Sequence, residues 1–195
     1  MRHRAVILDR DGTVIEERHY LSDPEHVTLI AGVAPALRAL RQMGLRVVVV
    51  TNQSAIGRGF LDQHCLEQIH ERLQQLLAAE GALLDGIYYC PHIPEQACAC
   101  RKPKPGLMEQ VEHDHRVDPR ACFVVGDKQC DLDFGRQVGA TTFLVRTGYG
   151  AALAAQRVEA ADYIVDDVCG TVPIIERLLG RPASLTEVLH DRREG

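Results

Sequence analysis

The chain has 195 residues, of which 46% are hydrophobic and 25% are charged, with a formal net charge of −5. This composition predicts one globular domain over residues 1–180 and a polar tail over 181–195. The acidic balance argues against a nucleic-acid partner, which would need clustered lysine and arginine. No apolar run reaches the roughly 18 residues of a membrane helix and no signal-peptide pattern is present, so we expect a cytoplasmic protein with no membrane partner, and a monomer.

Short apolar runs rich in β-branched residues recur along the chain, at residues 5–8, 45–50, 86–89, 122–125 and 142–145. They lack polar alternation and are therefore typical of parallel strands buried on both faces. Helical patterns separate them, over 33–43, 106–115, 131–138 and 172–179 and, most clearly, in a helix ended by Gly81 with one face formed by Leu66, Ile69, Leu73, Leu76 and Leu77. The alternation predicts an α/β fold, a Rossmann-like doubly wound parallel sheet whose ligands bind beyond the carboxyl ends of the strands.

Polar motifs follow three of these strands. Asp9 and Asp11 come after the first strand, and if the chain stays extended between them both carboxylates point to the same side. Thr51 follows the second strand, and Asp127 follows the fourth, with Asp131 four residues later. Taken alone, each motif has a simple structural interpretation, as a turn after a strand or, for Asp131, as a carboxylate at a helix N-terminus.

In order, these motifs resemble those of the haloacid dehalogenase-like (HAD) superfamily: Asp-x-Asp-x-Thr, then a Thr or Ser, a Lys and a terminal acidic motif. The resemblance identifies the lysine as Lys102, although Lys104 is close enough in sequence to stay an alternative. It implies that Asp9 attacks phosphorus to form an aspartyl-phosphate. Asp11 would protonate the leaving oxygen and then deprotonate water, and an acid at that position favours a phosphatase or phosphomutase within the superfamily.

The same resemblance implies a catalytic Mg²⁺, because a carboxylate that attacks an anionic phosphate needs a hard cation beside it. Its ligands would be Asp9, the backbone carbonyl of Asp11, and Asp127. Thr51 and Lys102 would bind the phosphoryl oxygens while charge shifts during the transfer.

A second metal site is indicated by Cys90, His92, Cys98 and Cys100, which supply three thiolates and one imidazole within eleven residues. Four such ligands, with none left for water, are typical of a structural zinc site. A redox pair at Cys98 and Cys100 is the alternative. We expect Zn²⁺ to order the loop over 90–100 and to orient the two residues that follow it, Arg101 and Lys102. The seven cysteines of the chain suit a reducing compartment better than a disulfide framework.

Residues 10–50 and 52–101 are too few to hold a separate cap domain beside the predicted elements, so we expect a capless site bordered by the loops 14–28 and 89–102. Within the superfamily, five segments of the chain resemble the phosphatases of heptose bisphosphates, which act in the synthesis of nucleotide-activated heptose for lipopolysaccharide core or related glycans. This implies a sugar-bisphosphate substrate bound by Glu17, Arg18, His19, Tyr20, Thr51, Asn52, Gln53, Ser54, Arg101, Lys102 and Lys128.

Two alternatives stay open at this point. Histidinol-phosphate phosphatase has the same catalytic motifs and zinc loop, and a phosphate-binding module without turnover belongs to a different class, although the intact pair Asp9 and Asp11 argues against it. A polynucleotide 3′-phosphatase would need a basic track with stacking aromatic residues, whereas this chain has no Trp and is acidic. The sequence does not select the anomer at C1 or assign a role to Lys104, to Asp131 or to the tail.

Overall fold

A computed structural model of the chain describes residues 2–156 and 160–180. It contains a six-stranded parallel sheet in the order β3-β2-β1-β4-β5-β6. The strands are β1 (Ala5–Leu8), β2 (Arg46–Asn52), β3 (Gly86–Cys90), β4 (Phe123–Gly126), β5 (Thr141–Val145) and β6 (Tyr163–Val165). The predicted doubly wound sheet is confirmed, and the predicted tail over 181–195 lies outside the described residues.

The α-helices of the described residues connect these strands and cover both faces of the sheet. They are α1 (Val33–Gln42), α2 (Ser54–Gly57), α3 (Gln63–Ala79), α4 (Gly106–His115), α5 (Gln129–Val138), α6 (Gly150–Ala154) and α7 (Thr171–Leu178). In the parts of the chain that the structure describes, no helix is long and apolar enough to cross a membrane.

Strand β1 illustrates why these apolar runs show no polar alternation. Its four residues are all buried, with Val6 and Leu8 packed in the core beneath α1 and α3, and Ala5 and Ile7 packed in the core beneath α4. Successive side chains of a strand point to opposite faces, so a strand covered on both sides needs an apolar residue at every position.

The register of the sheet brings the polar motifs to one edge. Leu8 pairs with Val49 on β2 and with Val125 on β4, so the residues just beyond these pairs leave the sheet side by side. Asp9, Thr51 and Asp127 are therefore neighbours at the carboxyl ends of three adjacent strands, as the topology rule for such sheets requires.

The sequence patterns did not predict β6 or the short helices α2 and α6. Strand β6 has only three residues and lies at an edge of the sheet, where Ile164 is 40% exposed. Helices of four or five residues, such as α2 and α6, are too short to display a helical period.

Candidate active site

A cavity of about 220 Å³ opens at the carboxyl end of the sheet. The predicted site residues that line it are Asp9, Asp11, Glu17, His19, Tyr20, Thr51, Asn52, Gln53, Ser54, Arg101, Lys102 and Lys128. Arg18 is placed differently: it is exposed, and its guanidinium donates to Glu16 at 2.8 Å. The structure thus brings the predicted catalytic and substrate-binding residues together at one site, apart from Arg18. Asp127 is wholly buried and does not line the cavity, but one of its oxygens lies within 4.8 Å of an oxygen of Asp9.

A tight turn after β1 places the two carboxylates. The carbonyl of Arg10 accepts from the backbone N–H groups of Val14 at 2.9 Å and Ile15 at 3.0 Å, and Gly12 lies within the turn at φ +83°. A Cβ at Gly12 would collide with the carboxylate of Asp127, so the residue must be glycine for its packing as well as for its backbone conformation.

Asp9 is a buried carboxylate that is stabilised in its ionised form. Its Oδ1 accepts from Lys102 Nζ at 2.9 Å, and its Oδ2 lies 3.5 Å from Lys128 Nζ. Burial by itself raises the pKa of Asp9, but the charges of Lys102 and Lys128 outweigh burial and hold that pKa at about 2. The side chain is therefore an unprotonated carboxylate at neutral pH.

Lys102 is 4% exposed and bridges two carboxylates. Besides Asp9 it contacts Asp131 Oδ1 at 2.7 Å and donates to the carbonyl of Val50 at 2.6 Å. The other oxygen of Asp131 accepts from the backbone N–H of Lys128 at 3.0 Å, where α5 begins. Asp131 is thus both the helix N-terminal carboxylate expected from its position and a buried partner of Lys102.

Lys104, the sequence alternative to Lys102, lies outside this cluster. Its Nζ is exposed and donates to the carbonyl of Ala97 at 2.8 Å, in the loop over 90–100. In the structure only the first of the two lysines faces Asp9.

The oxygens predicted to bind Mg²⁺ converge on one positive charge. Lys128 Nζ lies 3.2 Å from the carbonyl of Asp11, 3.3 Å from Asp127 Oδ1 and 3.5 Å from Asp9 Oδ2. Among the described residues, Asp127 Oδ1 is buried without a partner in hydrogen-bond geometry. Burial and the nearby charge of Asp9 raise the pKa of Asp127 to about 7. This set of hard oxygen donors around a cation fits Mg²⁺.

Acidic clustering alone would also include Asp131 among the metal ligands, because oxygens of Asp9, Asp127 and Asp131 lie within 4.8 Å of one another. Both oxygens of Asp131, however, already accept bonds, from Lys102 and from the N–H of Lys128. We therefore interpret Asp131 as a partner of Lys102 and of the N-terminus of α5, and not as a metal ligand.

Residues 51–53 bond to Asp11 on one side and to the backbone of Lys102 on the other. Gln53 Nε2 donates to Asp11 Oδ2 at 2.8 Å and to Thr51 Oγ1 at 2.9 Å. The Asn52 amide accepts from the backbone N–H of Lys102 at 3.0 Å and donates to its carbonyl at 3.1 Å. Both polar atoms of the Asn52 side chain are used in this way, so Asn52 holds Lys102 in place.

The four predicted zinc ligands lie together next to residues 51–53. Cys90 Sγ is 3.5 Å from Cys98 Sγ and 3.2 Å from Cys100 Sγ, and His92 Nδ1 is 3.3 Å from Cys100 Sγ. Ligands at the zinc–sulfur distance of a tetrahedral site would lie about 3.8 Å apart. The distances between the four ligand atoms are thus slightly shorter than in a zinc tetrahedron, and the three cysteines and one histidine match the ligands of a structural zinc site.

Tyr149, Arg10 and His70 contribute to the site without having been predicted. The backbone N–H of Tyr149 donates to Asp127 Oδ2 at 2.9 Å, and its ring lies 5.3 Å from Lys128 Nζ. The guanidinium of Arg10 contacts both the imidazole of His70 and the carboxylate of Asp11. The sequence offered a signal only for Arg10, a charged residue inside the first motif, because the others are brought in by long-range contacts.

Comparisons with known proteins agree with this geometry. A family model for HAD-hydrolase-like proteins matches residues 99–171. A solved structure of the D,D-heptose 1,7-bisphosphate phosphatase from B. bronchiseptica, complexed with magnesium and phosphate, has a TM-score of 0.82 and 32% sequence identity, over 90% of this chain and 99% of that one. Fold and site thus define a HAD-like hydrolase.

Curated relatives narrow the assignment. The chain is 39% identical to the D-glycero-beta-D-manno-heptose-1,7-bisphosphate 7-phosphatase of Haemophilus ducreyi, over 90% of this chain and 100% of the relative. It is 37% identical to the enzyme of the same name from Pseudomonas aeruginosa, over 86% of this chain and 95% of the relative. The chain belongs to the D-glycero-D-manno-heptose-1,7-bisphosphate 7-phosphatase family, as the sequence motifs predicted.

Proposed function

We propose that this chain hydrolyses the C7 phosphate of D-glycero-D-manno-heptose 1,7-bisphosphate with Mg²⁺, in the synthesis of nucleotide-activated heptose. The observation that carries the proposal is the placement of Asp9, Asp11 and Lys102 around one cavity, in a chain of this family. We further propose that it acts as a monomer in the cytoplasm, binding a small sugar phosphate and no nucleic acid, and that the seven cysteines, all free, suit that compartment.

The first step uses the ionised state of Asp9. One of its oxygens attacks phosphorus, the Asp9–phosphorus bond forms, and the bond from phosphorus to the C7 oxygen breaks. Asp11 gives its proton to that leaving oxygen. Lys102, held by the backbone bonds to Asn52, binds a phosphoryl oxygen with Thr51, so charge that develops on the group meets donors already in place.

The second step reverses the role of Asp11. A water molecule attacks phosphorus, Asp11 takes its proton, and the bond to Asp9 breaks to release inorganic phosphate and restore the carboxylate. Mg²⁺, bound by Asp9, the Asp11 carbonyl and Asp127, would supply the positive charge that reduces repulsion between carboxylate and phosphate.

The rim of the cavity would bind the rest of the substrate. The cavity of about 220 Å³ is smaller than the roughly 300–1,000 Å³ of pockets that enclose a drug-sized ligand, so it suits a phosphoryl group with the sugar at its mouth. Glu17, His19 and Tyr20 line one side and Arg101 the other. We assign sugar contacts to the first side and the C1 phosphate to Arg101, because a guanidinium forms paired bonds with phosphate.

We also propose that Cys90, His92, Cys98 and Cys100 hold a structural Zn²⁺. The loop they form contacts the site directly: Gln53 N–H donates to the Cys90 carbonyl at 2.7 Å, and Arg101 Nη1 donates to the His92 carbonyl at 3.1 Å. An ordered loop would therefore fix the position of Arg101 and, through the chain, of Lys102.

The test is phosphate release in the presence of Mg²⁺ from both anomers of heptose 1,7-bisphosphate and from histidinol phosphate, with Asp9→Asn as the blank. We expect turnover of the bisphosphate, and the preferred anomer follows from the same measurement. Preference for histidinol phosphate would contradict the proposed substrate and leave the proposed mechanism unchanged. Turnover of neither substrate, or equal activity in Asp9→Asn, would contradict the proposed function.

A further inference from the structure

Arg10 is a buried cation that faces the general acid. It is 1% exposed, and its guanidinium forms a fork onto one carboxylate: Nε lies 3.1 Å from Asp11 Oδ2 and Nη2 lies 3.0 Å from Asp11 Oδ1. Gln53 Nε2 adds a third N–H bond to Asp11 Oδ2 at 2.8 Å. A paired bond of this kind fixes the plane of the carboxylate as well as its charge.

The third nitrogen of the same guanidinium, Nη1, lies 3.1 Å from His70 Nε2. His70 belongs to α3, sixty residues along the chain, and is 8% exposed with its ring centroid 5.8 Å from that of Tyr89. Burial and the charge of Arg10 lower the pKa of His70 to about 3. A neutral imidazole beside a guanidinium accepts through Nε2, which fixes the ring proton on Nδ1.

The mechanism derived above uses neither side chain. A buried arginine and a neutral buried histidine are costly to place in a core without a purpose, since each polar atom needs a partner there. Their partners form one continuous line, from helix α3 through Arg10 to Asp11.

We propose that His70 is a positioning residue for the proton transfer: by accepting from Arg10 Nη1 it fixes the guanidinium, whose fork then holds Asp11 in the orientation that serves the leaving oxygen. This rests on the proposed function. The fork and the bond from Gln53 occupy both oxygens of Asp11, so the direction in which this carboxyl group faces the cavity depends on how Arg10 is held.

The choice of leaving group separates this role from a merely structural one. The alkoxide of a sugar must be protonated as the bond from phosphorus breaks, whereas p-nitrophenolate leaves as a stable anion. The ratio kcat/KM covers the steps up to that bond breaking. A defect in the orientation of Asp11 therefore lowers kcat/KM for the bisphosphate and spares kcat/KM for p-nitrophenyl phosphate, while a general loosening of the fold lowers both.

The variants are His70→Leu, which removes the acceptor, His70→Gln, whose amide oxygen replaces it, and the control Ile69→Val, a buried neighbour on α3. For His70→Leu we expect kcat/KM for the bisphosphate to fall by about 10- to 100-fold, within the roughly 100-fold or greater contribution of general acids. We expect the value for p-nitrophenyl phosphate to stay within about threefold, His70→Gln to recover most of the loss, and Ile69→Val to change neither.

Arg10→Lys keeps the charge but not the fork, and it provides a second route should His70→Leu fail to fold. It should give the same selective loss, and adding a His70 substitution to it should lower the rate little further, because both act through one guanidinium. Equal losses on both substrates, or no loss, in an active enzyme would overturn the inference alone. A wild-type protein inactive on the bisphosphate would overturn the proposed function with it.

Discussion

Replacing Lys102 by methionine tests the charge arrangement of the whole site. The substitution keeps the length of the side chain but removes an ammonium group that is 2.9 Å from Asp9, 2.7 Å from Asp131 and 2.6 Å from the Val50 carbonyl. Both carboxylates are then left buried, with exposed fractions of 6% and 1%.

The size of the effect follows from that burial. Removing one partner of a buried ion pair costs about 3–5 kcal/mol, because the remaining charge is left uncompensated. Here one cation contacts two carboxylates, but Lys128 stays 3.5 Å from Asp9 and compensates part of the charge. We therefore expect the free energy of unfolding of the metal-free protein to fall by about the lower figure. Mg²⁺ should restore part of it by binding beside Asp9. Loss of a preorganised donor to the transferring group should lower kcat by about 100- to 1,000-fold.

The assay is urea denaturation with and without Mg²⁺, together with phosphate release from the bisphosphate. Lys104→Met is the matched control, since that ammonium group is exposed and bonds only to the Ala97 carbonyl among the contacts described. The control should change the free energy of unfolding and kcat little. Near-normal stability and turnover in Lys102→Met, or equal losses in Lys104→Met, would refute this account of the site.

Three further predictions concern the metal loop, a buried histidine and the first turn. Chelation that removes metal from Cys90 and its three partner ligands should lower activity through lost loop order, and full activity in protein proven to lack that metal would contradict this role. The pKa of His70 is about 3 in the folded protein and about 6.5 in the unfolded chain, so the unfolded chain takes up a proton first as pH falls. The free energy of unfolding should therefore drop by about 2 kcal/mol from pH 7 to pH 5 through this residue. His70→Gln should lack that part of the drop in denaturation measured at both pH values, and an unchanged drop would contradict the neutral histidine. Gly12→Ala should abolish turnover, since its Cβ would collide with Asp127 and its φ is +83°; phosphate release near the wild-type rate would show that the turn adapts.

The sequence predicted the sheet well because each central strand carries its own local signal. The boundaries of β1 match the predicted run, and those of β2 to β5 differ from their runs by at most two residues at an end. Burial on both faces leaves continuous apolar runs that need no knowledge of tertiary contacts. Strand β6 carries no such signal because it has only three residues, whereas β3, at the other edge of the sheet, has five and was predicted.

The site was predictable as far as its motifs lie at strand ends. Adjacent parallel strands bring their carboxyl ends to one place, so finding the strands places Asp9, Thr51 and Asp127 together. Spacing alone did not separate Lys102 from Lys104, and the family resemblance selected Lys102. The bonds of Asn52 to the Lys102 backbone, which hold that lysine, could not be seen in the sequence. His70 reaches Arg10 across sixty residues through the packing of α3, which no local pattern encodes.

The contacts of the two lysines indicate which charges the site has before a metal binds. Lys102 and Lys128 keep Asp9 ionised before any metal binds, so this carboxylate does not depend on Mg²⁺ for its charge. Lys128 Nζ lies among the oxygens that would hold the metal and contacts Asp127 and the Asp11 carbonyl. Glu17 Oε2, 3.1 Å from the same ammonium, gives Lys128 a partner on the substrate side of the cavity. Lys128 therefore has partners in two directions, the oxygens that would hold Mg²⁺ and the carboxylate of Glu17.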